Sequence, residues 1–523
     1  MRFLFFSIAG LLICCYIHAQ QPVRRLPGII NHPSLNLFAP FISADGNAIV
    51  FISDNGTDGQ YVVSYTSRET DWKTPEELPK HLSNRLMFTR GYALSADGKK
   101  LYLTSAKSPV IGGYDIFVSE LKGNTWSNPE NLMLPINSKT NDGCPSITPD
   151  GTAIYFMRCD KMNTENAEGC KLFRSIKKPN GQWDEPEELP AHINTGNSQA
   201  PRILADKETL IFSSDKFPGS KGGMDLYITR FQDGKWSQPQ PLDFVNTERD
   251  DQYVSVNALG RYILKEERGA RNNWQLTEFL IPAEFKPKGL TKVTGKVRSR
   301  DGSPVSAYIS AVDVFTGKRV RSLRPEADGS YFFYLPEGST YEIAFDPEKS
   351  DHLFHTTLLD VTGEKIKQIE KIDVVMGAPQ SGDEIKLDIL AFQPYTAEID
   401  AGTTQELKRL ARLAKSNPQL GFEIQVLLDG YRESFERGDP DLTELIELSD
   451  TLHIVDSTGT VVGDSVTYRA MYHNDRTIAK ARAITTFLAG EGVNSDQLRM
   501  MVNAIKNDEV APVTTIKARV YDR

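Results

Sequence analysis

The chain has 523 residues, 39% hydrophobic and 25% charged, with a formal net charge of −9 and a pI near 5.6. That length exceeds what one hydrophobic core serves and calls for about three domains, in a composition typical of globular rather than disordered protein. The acidic balance argues against nucleic acid as a partner, which selects a basic face.

Residues 1–19 read as a signal peptide: Arg2 supplies the charged start, residues 3–17 the apolar run, and Ile17-His18-Ala19 the cleavage site. The run is shorter than the ~20 residues of a membrane span. Cys14 and Cys15 raise a lipoprotein signal, but Ile13 stands where that signal needs a small residue. No later run reaches membrane length, and no series of alternating strands suggests a transmembrane barrel. A mature chain without a transmembrane segment, in the periplasm, is the expectation.

Next comes a hairpin written several times: ISADGNAIVFIS (42–53), LSADGKKLYLTS (94–105) and SITPDGTAIYFM (146–157). Alternating apolar residues predict half-buried strands, and Asp-Gly predicts two-residue type I′ turns. A third strand follows each time, then a Trp-Pro motif such as WKTPEEL or WSNPENL. These begin at Trp72, Trp126, Trp183 and Trp236, a period of roughly 55 residues, and Trp274 is read as closing a shorter fifth unit. Units that cannot bury both faces must stack, and an all-β period of this length predicts propeller blades. The fourth unit carries Lys207 where glycine is expected. The segment LPGIINHPSLN (26–36) matches the stretches after the other Trp-Pro motifs and is expected to supply the outer strand that closes the ring. The count is five blades, with six as the alternative. Over about residues 27–288 the motifs resemble the WD-like β-propeller repeat of the PD type, also found in TolB-like periplasmic proteins. That resemblance implies a protein-binding platform.

Within this region Cys159 and Cys170 flank the polar loop DKMNTENAEG and are the disulfide candidate in an oxidising compartment. Cys144 is left over, and no His or Cys stands near it at zinc-ligand spacing. No G-x-S-x-G elbow and no H-E-x-x-H occurs. The sequence therefore predicts no catalytic residues, no metal, no cofactor and no enzymatic activity, with the repeated aspartates serving turns.

Residues 291–376 form a row of short strands with turns at Asp301-Gly302, Thr316-Gly317 and Asp328-Gly329, which predicts a small β-sandwich. The strings GSPVSA and DGSYFFYLPEG resemble the carboxypeptidase regulatory-like, transthyretin-like domain, which implies a spacer.

From residue 384 helices appear. Leu407, Leu410, Ala411 and Ala414 share one helical face ended by Asn417-Pro418, and Ile478, Ala481, Ile484, Phe487 and Leu488 share another. Strand, helix, strand, helix, strand predicts an α/β sandwich. LAFQPYTAEIDAGTTQELKRLARLAKSNPQLGFEI and NDRTIAKARAITTFLAGEGVNSDQLRM resemble the two halves of the OmpA-like C-terminal domain, which binds peptidoglycan. The resemblance implies that Asp429, at the end of IQVLLD, meets the amino group of diaminopimelate. It gives the carboxylate to Arg482, with Asn474 at the family's asparagine position. Val426, Leu427 and Leu428 depart from the family's Gly-His-Thr, only Arg519 remains of its closing motif, and an insertion at about 431–473 separates Asp429 from Arg482.

Propeller, sandwich and OmpA-like domain in this order resemble envelope proteins of bacteria with type IX secretion, among them its peptidoglycan-associated component. The implied function is a periplasmic scaffold tied to the outer membrane. It would tether an outer-membrane or secretion-system assembly to the peptidoglycan stem peptide. The alternative is a protein-interaction module that has lost peptidoglycan binding.

Overall fold

The computed structural model describes residues 23–54, 61–83, 87–88, 90–270, 272–363, 366–393, 396–429, 444–455, 457–473, 476–501 and 513–523. The expected signal peptide lies outside them. The chain divides into two compact units, 1–290 and 291–523.

Among the described residues the first unit holds five antiparallel sheets of four or five strands in chain order, besides a two-stranded ribbon of Lys161–Met162 and Ala167–Glu168. The second strands of the five sheets are Ala48–Asp54, Lys100–Ser105, Ala153–Cys159, Thr209–Ser214 and Tyr262–Arg268, each with an inner strand before it and a third strand after. Each neighbouring pair of sheets shares one apolar core. Val50 and Ile52 pack with Leu101 and Leu103, Ile116 with Ile154 and Phe156, and Met157 and Leu172 with Leu210 and Phe212. Ile211 and Leu226 pack with Val254 and Ile263, and Leu264 and Leu276 return to Ile49 and Phe51. Five shared cores make a closed ring, a five-bladed propeller. Each fully buried Ile, Leu or Phe contributes roughly 1.5–3 kcal/mol, so the seams between sheets hold the ring.

The ring is closed by the N-terminus. Val23–Arg25 pairs antiparallel with Trp274–Leu280 as the outer strand of the fifth sheet. The expected segment 26–36 follows this strand and has a different task. In every sheet a leucine after the outer strand donates its N–H to the third strand: Leu26 to Leu276, Leu78 to Val63, Leu132 to Ile116, Leu189 to Leu172 and Leu242 to Leu226. Among the described residues an asparagine side chain then binds that same third-strand residue: Asn31 on Leu276, Asn137 on Ile116, Asn194 on Leu172 and Asn246 on Leu226, while Asn84, the first sheet's asparagine, lies outside them. The recurrent Leu-Pro…Asn string is this clamp.

Two sequence expectations are corrected. The Asp-Gly turns are not type I′, because only the glycine has positive φ (Gly46 at 71°, Gly98 at 71°, Gly151 at 68°). Gly46 N–H bonds Ser43 C=O while Ser43 N–H bonds Ala48 C=O. This is a type I turn with a left-handed residue after it. The aspartate instead accepts hydrogen bonds, as Asp45 does from the Ser43 hydroxyl and Asn47 N–H. Lys207 takes the glycine's place at φ 64°. The second correction concerns Trp274. Trp126 and Trp236 pair back onto strand three just after it ends, whereas Trp274 opens strand three opposite Arg268.

In the second unit, two four-stranded sheets enclose one core containing Val297, Ile309, Leu335, Ile343 and Phe345. A further four-stranded sheet runs in the order Glu384–Lys386, Val513–Asp522, Leu420–Asp429, Leu498–Met500. Helices α1 (Thr404–Ser416) and α2 (Arg476–Gly490) cover it through Leu407, Leu410, Ala481, Ile484 and Leu488. Asn417 N–H bonds Ala414 C=O to stop α1, and Gly492 at φ 88° turns the chain after α2. The insertion contains a long hairpin, Glu444–Val455 against Val461–His473.

Candidate functional site

Asp429 is the last residue of the strand Leu420–Asp429, its backbone opposite Val513. Its side chain and the whole of Asn474 lie outside what is described. Arg482 lies in the second turn of α2, where Ala481 and Ile484 face the core and Arg482 is exposed. The Thr485 hydroxyl bonds the Arg482 carbonyl at 2.9 Å. Arg519 is exposed on the strand beside Glu423. Val426, where the resemblance has glycine, is buried in the core.

Within the second unit, polar contacts on α1 join the sandwich and the α/β sheet, those of Arg409 and Glu406 being the buried ones. Arg409 binds Asp346 at 2.8 Å and Glu342 at 3.2 Å. Burial opposes its charge, but the two carboxylates hold its pKa above the ordinary arginine value. Glu406 is fully buried and accepts from Ile389 N–H at 3.1 Å, Leu390 N–H at 2.9 Å and the Thr356 hydroxyl. Burial pushes its carboxyl up to about 7, against the pull of those three donors.

Sequence reading missed a group of charges in the propeller. Strand two of the fifth sheet reads Lys265-Glu266-Glu267. By register these residues oppose the same third-strand positions as Phe51-Ile52-Ser53, Leu103-Thr104-Ser105 and Phe212-Ser213-Ser214 in other sheets. Lys265 is buried and binds Asp251 at 2.5 Å and the Val245 carbonyl at 2.7 Å. Glu266 accepts Ala39 N–H at 3.1 Å, and burial raises its pKa. These groups line a cavity of about 410 Å³ together with Gln252, Arg249 and Trp274. Arg202 is a second break in the pattern: its counterparts by register are Phe41, Ala93, Ser146 and Ser255. Writing the five units in strand register would have exposed both, since Lys265 then falls in an apolar column and Glu266 and Arg202 in uncharged ones.

Cys159 and Cys170 are joined by a disulfide, and Cys144 is buried with a free thiol. Among the described residues no cluster of His, Cys, Asp or Glu could hold a metal, and no helix is long and apolar enough to cross a membrane.

No protein-family model and no curated protein matches the chain. Among solved structures, TolB from Acinetobacter baumannii overlaps at a TM-score of 0.29 and 19% identity, over 57% of this chain and 65% of that one. The endo-arabinase from Bacteroides thetaiotaomicron VPI-5482 overlaps at 0.32 and 18%, over 48% and 96%. The alpha-L-arabinofuranosidase from Lactobacillus brevis overlaps at 0.32 and 11%, over 49% and 94%. Overlaps this loose assign neither family nor activity. They do correct one expectation: an enzyme-free reading does not follow from the propeller, because hydrolases and a TolB match it at equally low scores.

Proposed function

We propose that the chain is an adaptor of the bacterial envelope, resident in the periplasm at the outer membrane. In this reading the propeller holds an outer-membrane or secretion-system protein, and the C-terminal module binds the peptidoglycan stem peptide. The carrying observation is that the strand ending in Asp429 and the helix presenting Arg482 pack on each other, with the arginine open to solvent. A guanidinium matches a carboxylate bidentately, and a carboxylate complements an amine, so the pair suits a zwitterionic diaminopimelate group. The domain order read from the sequence supports the same assignment. Co-sedimentation of the full chain with purified sacculi tests it. Wild type is expected in the pellet, and Asp429→Ala and Arg482→Ala each weaken binding roughly tenfold to a hundredfold. Wild type left in the supernatant ends the reading.

One observation favours the second reading, a protein-interaction module. The inserted hairpin exposes Leu452, Ile454, Val455, Val461 and Val462, an apolar surface of the kind that seats partners. Under that reading, removing residues 431–473 abolishes partner capture while Asp429→Ala leaves it intact.

A further inference from the structure

Arg202 is 4% exposed on the inner strand Gln199–Ile203 of the fourth sheet. Its Nε donates to the Val254 carbonyl at 3.1 Å and its Nη1 to the Pro201 carbonyl at 3.0 Å, with the guanidinium 4.9 Å from the Phe41 ring centroid. Among the described residues no carboxylate pairs with it and Nη2 donates to nothing. An arginine stays charged in a protein, and burying an unpaired charge is costly.

What surrounds it is rich in donors. Arg90, from the second sheet's side, lies 5.5 Å from the ring centroid of Tyr253, and both arginines act electrostatically on that tyrosine. Cys144 of the third sheet, in the field of Arg202, has its thiol pushed up to about 12 by burial, and burial raises Tyr253 as well. Both stay protonated and can donate. The nearby acid, Glu266, gives one oxygen to Ala39 N–H and is felt by Arg90. Glu266 is thus met by Arg90 and Lys265, while no carboxyl acts on Arg202, whose free edge has no acceptor among the described residues.

We propose that the axis of the propeller is a binding site for a small oxyanion, a carboxylate or phosphate group, gripped by the free edge of Arg202 and completed by Arg90. An oxyanion offers acceptors alone, which this cluster lacks, and its geometry fits the guanidinium fork. The site is independent of the C-terminal module and of the envelope reading.

Isothermal titration of the full chain with sodium phosphate and with sodium acetate, at constant ionic strength set by chloride, tests it. Saturable binding of one anion to wild type is expected, and the tighter of the two assigns the group. Arg202→Met should abolish the heat, and Arg90→Gln should weaken binding roughly tenfold. Absence of saturable binding to wild type, or an unchanged affinity in Arg202→Met, overturns the proposal. Should Arg202→Met fail to fold, Arg90→Gln decides: an unaltered affinity there overturns it equally.

Discussion

Asn31 holds both backbone polar groups of Leu276 across 245 residues of chain, accepting its N–H at 2.8 Å and donating to its C=O at 2.9 Å. The same side chain also donates to the Leu26 carbonyl at 3.0 Å. A buried group left unpaired costs about 1–3 kcal/mol. Asn31→Ala is therefore expected to lower the stability of the first unit by about 2–4 kcal/mol in urea unfolding followed by tryptophan fluorescence. A loss below about 0.5 kcal/mol would show that the clamp contributes nothing to ring closure.

Lys265 and Asp251 form a buried pair in a place where the fourth sheet has Phe212 and Ser198. Breaking a buried pair costs about 3–5 kcal/mol because one charge is stranded, whereas replacing both can be neutral. Lys265→Leu alone should show that loss. The double variant Lys265→Leu with Asp251→Ser, which approaches the pattern of the fourth sheet, should recover to within about 1 kcal/mol of wild type. Equal losses in the single and double variants would refute the pairing argument.

Glu406 titrates at about 7 in the folded chain, above the ordinary 4.5. A raised carboxyl pKa means that the folded state binds the proton more tightly. Its contribution is fully present below about 4.5 and is lost as pH rises through about 7. Glu406→Gln mimics the protonated group, so the stability of the second unit should lose this dependence between pH 4.5 and 7. A variant whose melting temperature tracks wild type across that window would assign the dependence elsewhere.

The Cys159–Cys170 disulfide closes a loop of sequence separation 11. Chain entropy alone gives such a loop about 2–3 kcal/mol. Reduction should lower the first unit's stability by that amount, and Cys159→Ser with Cys170→Ser should match it. Cys144, buried and held protonated, should label with maleimide only after unfolding.

The repeat was legible because three propeller units write the same Asp-Gly turn and four of the linking segments the Leu-Pro…Asn string, on a common strand alternation. Val23–Arg25 was not, since Pro22-Val23-Arg24-Arg25-Leu26 carries basic residues where Pro75-Glu76-Glu77-Leu78 carries acidic ones. Backbone pairing cares about neither sign. Trp274 misled for the opposite reason: a rare residue at nearly the right interval packs on Phe38, 6.1 Å between ring centroids, from a different strand position. The joint through Arg409 and Glu406 was invisible because its partners, Asp346 and Thr356, come from another module and share no periodicity with α1. At the C-terminal site, sequence indicated which residues to examine, and the fold adds that α2 turns Arg482 outward.

Closing a ring with its own first strand also imposes an order on biosynthesis. Val23–Arg25 leaves the ribosome before any of its partners, and its hydrogen bonds wait for Trp274–Leu280. Until about 280 residues have been made, the first blade lacks its neighbour on one flank and the last blade does not exist. Contacts so distant along the chain slow folding and leave strand edges bare meanwhile. Nascent chains cut short of residue 274 should therefore depend on chaperones, and appending the strand Trp274–Leu280 should release them.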